Sequence, residues 1–338
     1  MKILAIKQTS LGDVLHVTGH LRRMKEAFPE AELHVMTATS SAMILENHTS
    51  IDKLIVIDRY GFKKNWWRKP VWSYRLMKTA MQQIRQHEYD LAIDFQGLSK
   101  SVIFLYGARA RRKFVKGKWP GLTGFHNRQL HAVREMDAVL DMAGIDAEDT
   151  SMEFQTTVDD DNHVDSLVKQ LARNDLPVLL FSCFSRWQSK DWPLEKYVEL
   201  ARYYADDNLI LFSGAENRQP EIEQAVALLK HPNCHSVAGK ITLRQFAALA
   251  GKATLMVTGD SFPMHVSVAK GTPVVAIFGP TNPHKVGPIG KSHRVVQAPN
   301  CRQCENSRCR RLCLLDVPVG SVRDAVDNAL TKIGYQIS

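Results

Sequence analysis

The sequence predicts an α/β protein built from two Rossmann-like, doubly wound domains facing a cleft. The first observation behind this is length: 338 residues exceed one ordinary core and suit two domains of about 150 residues each. The second is pattern. Short apolar runs alternate along the chain with segments of three- and four-residue apolar spacing, as in a parallel sheet covered by helices on both faces. The third is a restart. Past the acidic stretch Val-Asp-Asp-Asp-Asn-His-Val-Asp at 158–165 the alternation begins again, so that stretch is the expected boundary. The expected division is 1–160, 161–318 and a closing helical segment 319–338.

In order, residues 2–7, 32–37, 53–57 and 90–94 read as strands, and 13–28, 71–85 and 129–143 as helices. In the second half, 177–182, 208–213, 254–258 and 273–278 read as strands, and 194–204, 221–230, 243–250, 264–270 and about 319–333 as helices. Ligands of such sheets bind beyond the carboxyl ends of the strands, so the loops that follow strands carry the candidate residues.

No apolar run approaches the roughly 20 residues that cross a bilayer. The opening run is broken by Lys7 and passes straight into a Gly-Asp turn, unlike a secretory signal, so a cytoplasmic location is expected. The net charge is +9, and its distribution says more than its size. Residues 59–78 hold seven cations and 100–134 hold nine, with no acid in either run, so the remainder of the chain is net acidic. A positive field confined to one half points to a localised anionic partner: nucleic acid, anionic lipid headgroups or phosphorylated sugars.

Four of the six cysteines cluster as Cys301-x2-Cys304-x4-Cys309-x3-Cys313. A reducing compartment argues against disulfides. Tetrahedral zinc and reduced thiols packing a small loop both stay open, the tight irregular spacing being unlike a zinc ribbon.

The first strand runs into Gln8-Thr9-Ser10-Leu11-Gly12-Asp13. Asp13 reads either as a helix N-cap, which its spacing favours, or as a carboxylate placed to accept a proton from a hydroxyl nucleophile. No G-x-G-x-x-G follows that strand, so a dinucleotide site there is not supported. The first strand of the second half leads into Ser182-Cys183-Phe184-Ser185-Arg186-Trp187-Gln188-Ser189-Lys190-Asp191-Trp192-Pro193. Its hydroxyls, Arg186 and Lys190 ahead of a helix suit a diphosphate; the plainer reading is a solvated surface loop. A later strand ends in Gly259-Asp260-Ser261 and a helix starts at once with Phe262-Pro263-Met264-His265, followed one strand later by Gly279-Pro280-Thr281. His265 alone would more often be a satisfied helix histidine, but two turns at one edge suit a phosphate cradle. Glu216, after the strand 208–213, is a candidate for ribose hydroxyls.

These pieces, in this order and over nearly the whole chain, resemble glycosyltransferase family 9, the lipopolysaccharide heptosyltransferases. The resemblance is carried by Ser10 to His16, Asp94-Phe95-Gln96-Gly97-Leu98-Ser99-Lys100-Ser101, Lys190-Asp191-Trp192-Pro193, and Asp260-Ser261 through Pro283. It implies a GT-B fold and inverting, metal-independent transfer of heptose from ADP-heptose to the inner core of lipopolysaccharide, Kdo–lipid A or a heptosylated core. It implies Asp13 as base and Ser185 and Lys190 at the donor diphosphate, with Lys190 also steadying the leaving group; the loop reading adds Arg186. It also implies Asp260, Ser261 and His265 on the donor loop; Glu216, from its place after a strand, and Phe262, beside Ser261, complete the expected donor site. The basic first half supplies Lys63, Lys64, Arg68 and Arg112 as expected acceptor contacts, with Ser10, Gly12 and Gln96 from the motifs on the same side. The family often has glycine where this chain has Phe262, which puts a positive φ and the local phosphate cradle in question.

No cofactor is expected, a structural zinc on the cysteine loop aside. The expected partners are the donor, the lipid-linked acceptor and the anionic inner leaflet, with no nucleic acid, and the enzyme is expected to act as a monomer peripheral to the inner membrane. Two other readings stand beside this one: a transferase of the same architecture with another nucleotide-sugar donor, and a non-enzymatic binder of anionic lipid or nucleic acid.

Overall fold

The computed structural model describes residues 1–338 apart from 66, 173–174, 308, 310–311 and 336–338, and apart from the side chain of Lys63. The chain divides into two compact units, Met1–Gln155 and Thr156–Ser338. Each holds a six-stranded, all-parallel sheet.

In the first unit the strands are β1 (Lys2–Ile6), β2 (Glu32–Ala38), β3 (Lys53–Ile57), β4 (Glu88–Asp94), β5 (Arg109–Lys116) and β6 (Thr123–Phe125), in the order β3-β2-β1-β4-β5-β6. In the second they are β7 (Val178–Ser182), β8 (Leu209–Ser213), β9 (Cys234–Ser236), β10 (Leu255–Gly259), β11 (Val274–Phe278) and β12 (Arg294–Gln297), in the order β12-β11-β10-β7-β8-β9. Each sheet is wound outward from its first strand in one direction and then in the other. The reversal falls between β1 and β4 in the first unit and between β7 and β10 in the second. At such a reversal the flanking loops diverge and leave a crevice at the carboxyl edge.

Every residue of β7, β8, β10 and β11 is buried, which accounts for their near-continuous apolar runs. Leu179, Phe181, Ile210, Phe212, Val257, Val275 and Ile277 form the centre of the second core. The closing helix Val319–Lys332 buries Val322, Val326, Ala329 and Leu330 in that same core, so it is an integral layer of the second unit. The first core is built on Leu4, Ile6, Met36, Ile55, Ile57, Ala92, Phe104 and Val115.

The acidic stretch 158–165 is not a linker. It opens the helix Val158–Leu171, with Thr157 as N-cap accepting from the Asp160 amide at 3.2 Å while Asp160 accepts from the Thr157 amide at 3.1 Å. Three aspartates in a first helical turn are stabilised by the unpaired amides and dipole at that end. The basic stretch after residue 108 contains a strand with no apolar alternation to announce it. In β5, Arg109, Arg111 and Arg112 are exposed, Ala110 packs partly against the core, and only Phe114 and Val115 are buried. Among the described residues no helix is long and apolar enough to cross a membrane.

Candidate active site

In the first unit the chain leaves β1 at the reversal point and enters the helix Leu11–Ala27. Ser10, extended at φ −89°, is the N-cap, and Asp13 is the third helical residue, not the cap. The Asp13 carboxylate reaches back to accept from the Ser10 amide at 2.9 Å and the Ser10 hydroxyl at 3.0 Å. This corrects the N-cap reading of Asp13: a carboxylate in the third position suits the reciprocal half of a capping box, and Ser10 supplies the other half. Gly12 lies half-buried within the first turn.

Burial works to raise the Asp13 pKa, yet the Lys7 ammonium, the two Ser10 bonds and Lys116 together hold it below the ordinary carboxylate value. Lys7 is buried at the end of β1 and donates to the Phe95 carbonyl at 3.2 Å. Desolvation brings its pKa down to about 8, opposed by the charge of Asp13. Beside it, Gln96 turns its side-chain oxygen to the amides of Gln8 at 3.3 Å and Thr9 at 3.0 Å, so it braces the loop leading to Asp13. Lys100 donates to the Thr9 hydroxyl at 3.1 Å and Arg59 to the Gln8 side chain at 2.9 Å.

Asp94 closes β4 and organises the other side of the crevice. It accepts from the Gln96 amide at 2.8 Å, the Gly97 amide at 3.1 Å and the Ser101 hydroxyl at 2.7 Å. Burial lifts its pKa to about 6 against those three bonds and Lys7. Gly97 has φ +66°, and a Cβ there would overlap the Lys116 carbonyl, so only glycine lets the two strand ends approach. Lys116 in turn pairs with Glu135 at 3.0 Å.

In the second unit the reversal point brings the loops after β7 and β10 together. The Lys190 ammonium lies 2.6 Å from Asp260 and 4.3 Å above the Trp187 ring, and the buried Thr281 hydroxyl donates to the same carboxylate oxygen. Gly259 permits this: a Cβ there would stand 2.8 Å from the Lys190 carbonyl. The loop is held by the Ser185 amide on Asp191 at 2.7 Å and by the Ser185 hydroxyl donating to the Trp187 carbonyl at 2.8 Å. Desolvation raises the Asp191 pKa.

Ser261, extended at φ −150°, caps the helix Phe262–Ala269, and its hydroxyl lies 3.2 Å from that of Thr258. Phe262 is the first helical residue and is not among the positive-φ residues. The concern raised by its bulk is thereby removed, because a helix N1 position accepts any L-residue. His265 is buried in the first turn. Arg186 is exposed at the mouth of the loop. Glu216, also exposed, opens the short helix Glu216–Arg218 past β8 at the same edge of the sheet.

The remaining cations lie elsewhere. Lys64 and Arg68 are exposed in and after the helix Arg59–Asn65, where the side chain of Lys63 is outside the described residues. Arg112 sits within β5 opposite Leu91, short of the carboxyl edge. Cys301 donates to the Gly279 carbonyl at 3.1 Å, Cys304 is exposed and Cys313 is buried. Among the described residues no three His, Cys, Asp or Glu side chains converge as a metal cluster.

Sequence reasoning missed Lys7 and Lys116, and it gave no role of their own to Asp94 and Thr281, which stand in motifs it singled out. The signal for Lys7 was a lone cation ending a buried strand; for Asp94, an acid ending another.

The sequence model of glycosyltransferase family 9 (heptosyltransferase) matches residues 77–315. The chain is 25% identical over 308 residues to lipopolysaccharide heptosyltransferase 1 of Escherichia coli K12, covering 88% of this chain and 94% of that one. It is 26% identical over 302 residues to the lipopolysaccharide core heptosyltransferase OpsX of Haemophilus influenzae, covering 86% and 82%. Among solved structures, a glycosyl transferase family 9 protein from Veillonella parvula superposes with a TM-score of 0.85 at 21% identity, covering 98% of this chain and 97% of that one. The E. coli heptosyltransferase WaaC, solved with ADP, superposes with a TM-score of 0.75 at 21% identity over 97% and 100%. At these identities the superpositions show a shared GT-B α/β fold.

Proposed function

The chain belongs to glycosyltransferase family 9, and from that premise we propose that it moves heptose from ADP-heptose to the inner core of lipopolysaccharide, with inversion at the anomeric carbon. The observation that carries the reading is the pairing of chemistries at the two sheet reversals: an ionised carboxylate at Asp13 in one unit, and a Lys190 ammonium locked by Asp260 and Thr281 in the other. The names of the relatives support the sugar and the acceptor class, and WaaC is solved with ADP.

On this reading the second unit holds the donor. Lys190, the Ser185 loop and the amides that open the helix Phe262–Ala269 neutralise the diphosphate. Asp260 is itself an anion, so its part is to aim Lys190, not to touch phosphate. Glu216 takes ribose hydroxyls, and His265 supports the cradle from beneath. The first unit presents the acceptor, with exposed cations such as Lys64 and Arg68 meeting its phosphates and carboxylates.

The acceptor hydroxyl oxygen forms a bond to the anomeric carbon as the bond from that carbon to the β-phosphate oxygen breaks. The hydroxyl proton passes to Asp13, and the leaving electron pair stays on ADP beside Lys190. No metal or cofactor enters the step. Turnover of ADP-heptose on a panel of truncated lipopolysaccharide cores, with ADP and UDP as competitors, tests this. Transfer inhibited by ADP and not by UDP is expected. Transfer from a UDP- or GDP-sugar instead would replace the donor assignment.

A further inference from the structure

Residues 59–78 carry six aromatic side chains and seven cations with no acid. Among the described residues the structure leaves most of these aromatics exposed. Tyr60 is 76% exposed, Trp67 64% and Tyr74 65%, with Val71 at 63% beside them. The helix Pro70–Arg85 explains how they are displayed. Its second half packs into the first core through Ala80 and Ile84, while its first half buries only Ser73. The Arg68 guanidinium lies 5.1 Å above the Trp67 ring, so cation and ring form one unit. A monomeric protein rarely leaves so many large apolar groups together in water without a use for them.

The composition identifies the occupant. Protein–protein interfaces are enriched in aromatics and Arg but depleted of Lys, and four of the seven cations here are Lys. Here rings and cations interleave, which matches the headgroup layer of a bilayer: indole and phenol rings settle at the polar–apolar boundary, and Lys and Arg meet lipid phosphates. We propose that the segment 59–78 is a membrane-docking surface that seats Trp67, Val71, Trp72 and Tyr74 in the headgroup boundary of an anionic leaflet while Lys69, Arg75 and Lys78 pair with its phosphates. The enzyme then binds in the interface without spanning it. This deepens the reading above, because a lipid-linked acceptor must be met where its lipid lies.

Co-sedimentation of the full chain with phosphatidylcholine vesicles containing phosphatidylglycerol, against phosphatidylcholine alone, tests it. Wild-type protein should partition onto the anionic vesicles. Trp72→Ser with Tyr74→Ser should weaken partitioning about tenfold, and Lys69→Ser, Arg75→Ser and Lys78→Ser about fivefold for each charge removed. These positions are exposed, and unchanged melting verifies that each variant folds. Both variants should keep turnover on a soluble, deacylated acceptor and lose it on acceptor embedded in vesicles. Wild-type protein that ignores anionic vesicles overturns the proposal, as does an aromatic variant that partitions like wild type, or binding to duplex DNA in place of vesicles. Vesicle binding without turnover of the deacylated acceptor would leave the docking surface standing and remove the transferase reading.

Discussion

The two ionic centres differ in how their charge is held, and their variants should differ accordingly. Asp13 stays ionised because Lys7, Ser10 and Lys116 outweigh its burial. Asp13→Asn keeps the shape and the Ser10 amide bond but cannot take a proton. Turnover should fall by about 10²–10⁴-fold, as for loss of a general base, with ADP affinity by calorimetry unchanged; retained turnover would reject Asp13 as the base. Lys190→Ala removes the partner of a carboxylate that is only 6% exposed. Turnover and donor affinity should drop together, turnover by about 10²–10³-fold. An effect limited to acceptor affinity would contradict the assignment.

At the scale of elements, the β4 end and the loop after it are set by one carboxyl group and one glycine. Asp94 has its pKa raised from 3.8 to about 6. A carboxyl raised by folding stabilises the fold most below its unfolded value of 3.8, and that contribution is lost as pH climbs through about 6. Asp94→Asn, which still accepts from the Gln96 and Gly97 amides, escapes that loss. Its unfolding free energy from urea titration, relative to wild type, should therefore rise between pH 4 and pH 7, by up to about 3 kcal/mol; a constant gap would show that burial of Asp94 is not the cause. Gly97→Ala should cost about 3 kcal/mol by the same measurement, from positive φ and overlap with the Lys116 carbonyl. The lesson of β5 belongs here too. Its arginines hide the strand from any search for apolar alternation, because a strand near a sheet margin needs only one or two buried side chains, here Phe114 and Val115.

For the whole molecule, the donor-binding reading makes a stability prediction. Any ligand that binds only the folded state stabilises it, by about 2.7 kcal/mol at a hundredfold excess over Kd. ADP should raise the melting temperature of wild type and of Asp13→Asn alike and do little for Lys190→Ala, whereas UDP should raise none of the three. An equal response to both nucleotides would detach the site from adenine.

The sequence by itself determined the doubly wound architecture, since strands buried on both faces must be apolar throughout and helices covering them must be apolar at three- and four-residue spacing. It also determined which strand-end loops to examine, since side-chain chemistry at the carboxyl edge of a parallel sheet follows from chain order alone. Tertiary structure decided what periodicity cannot carry. It made Ser10 the cap and Asp13 its reciprocal partner, turned the acidic stretch 158–165 into the start of a helix, and gave Phe262 an ordinary helical backbone. It also set Lys7 within electrostatic reach of both Asp13 and Asp94, and Thr281 on Asp260. Lys7 and Asp94 are far apart in sequence, as are Asp260 and Thr281, and only the register of neighbouring strands brings each pair together.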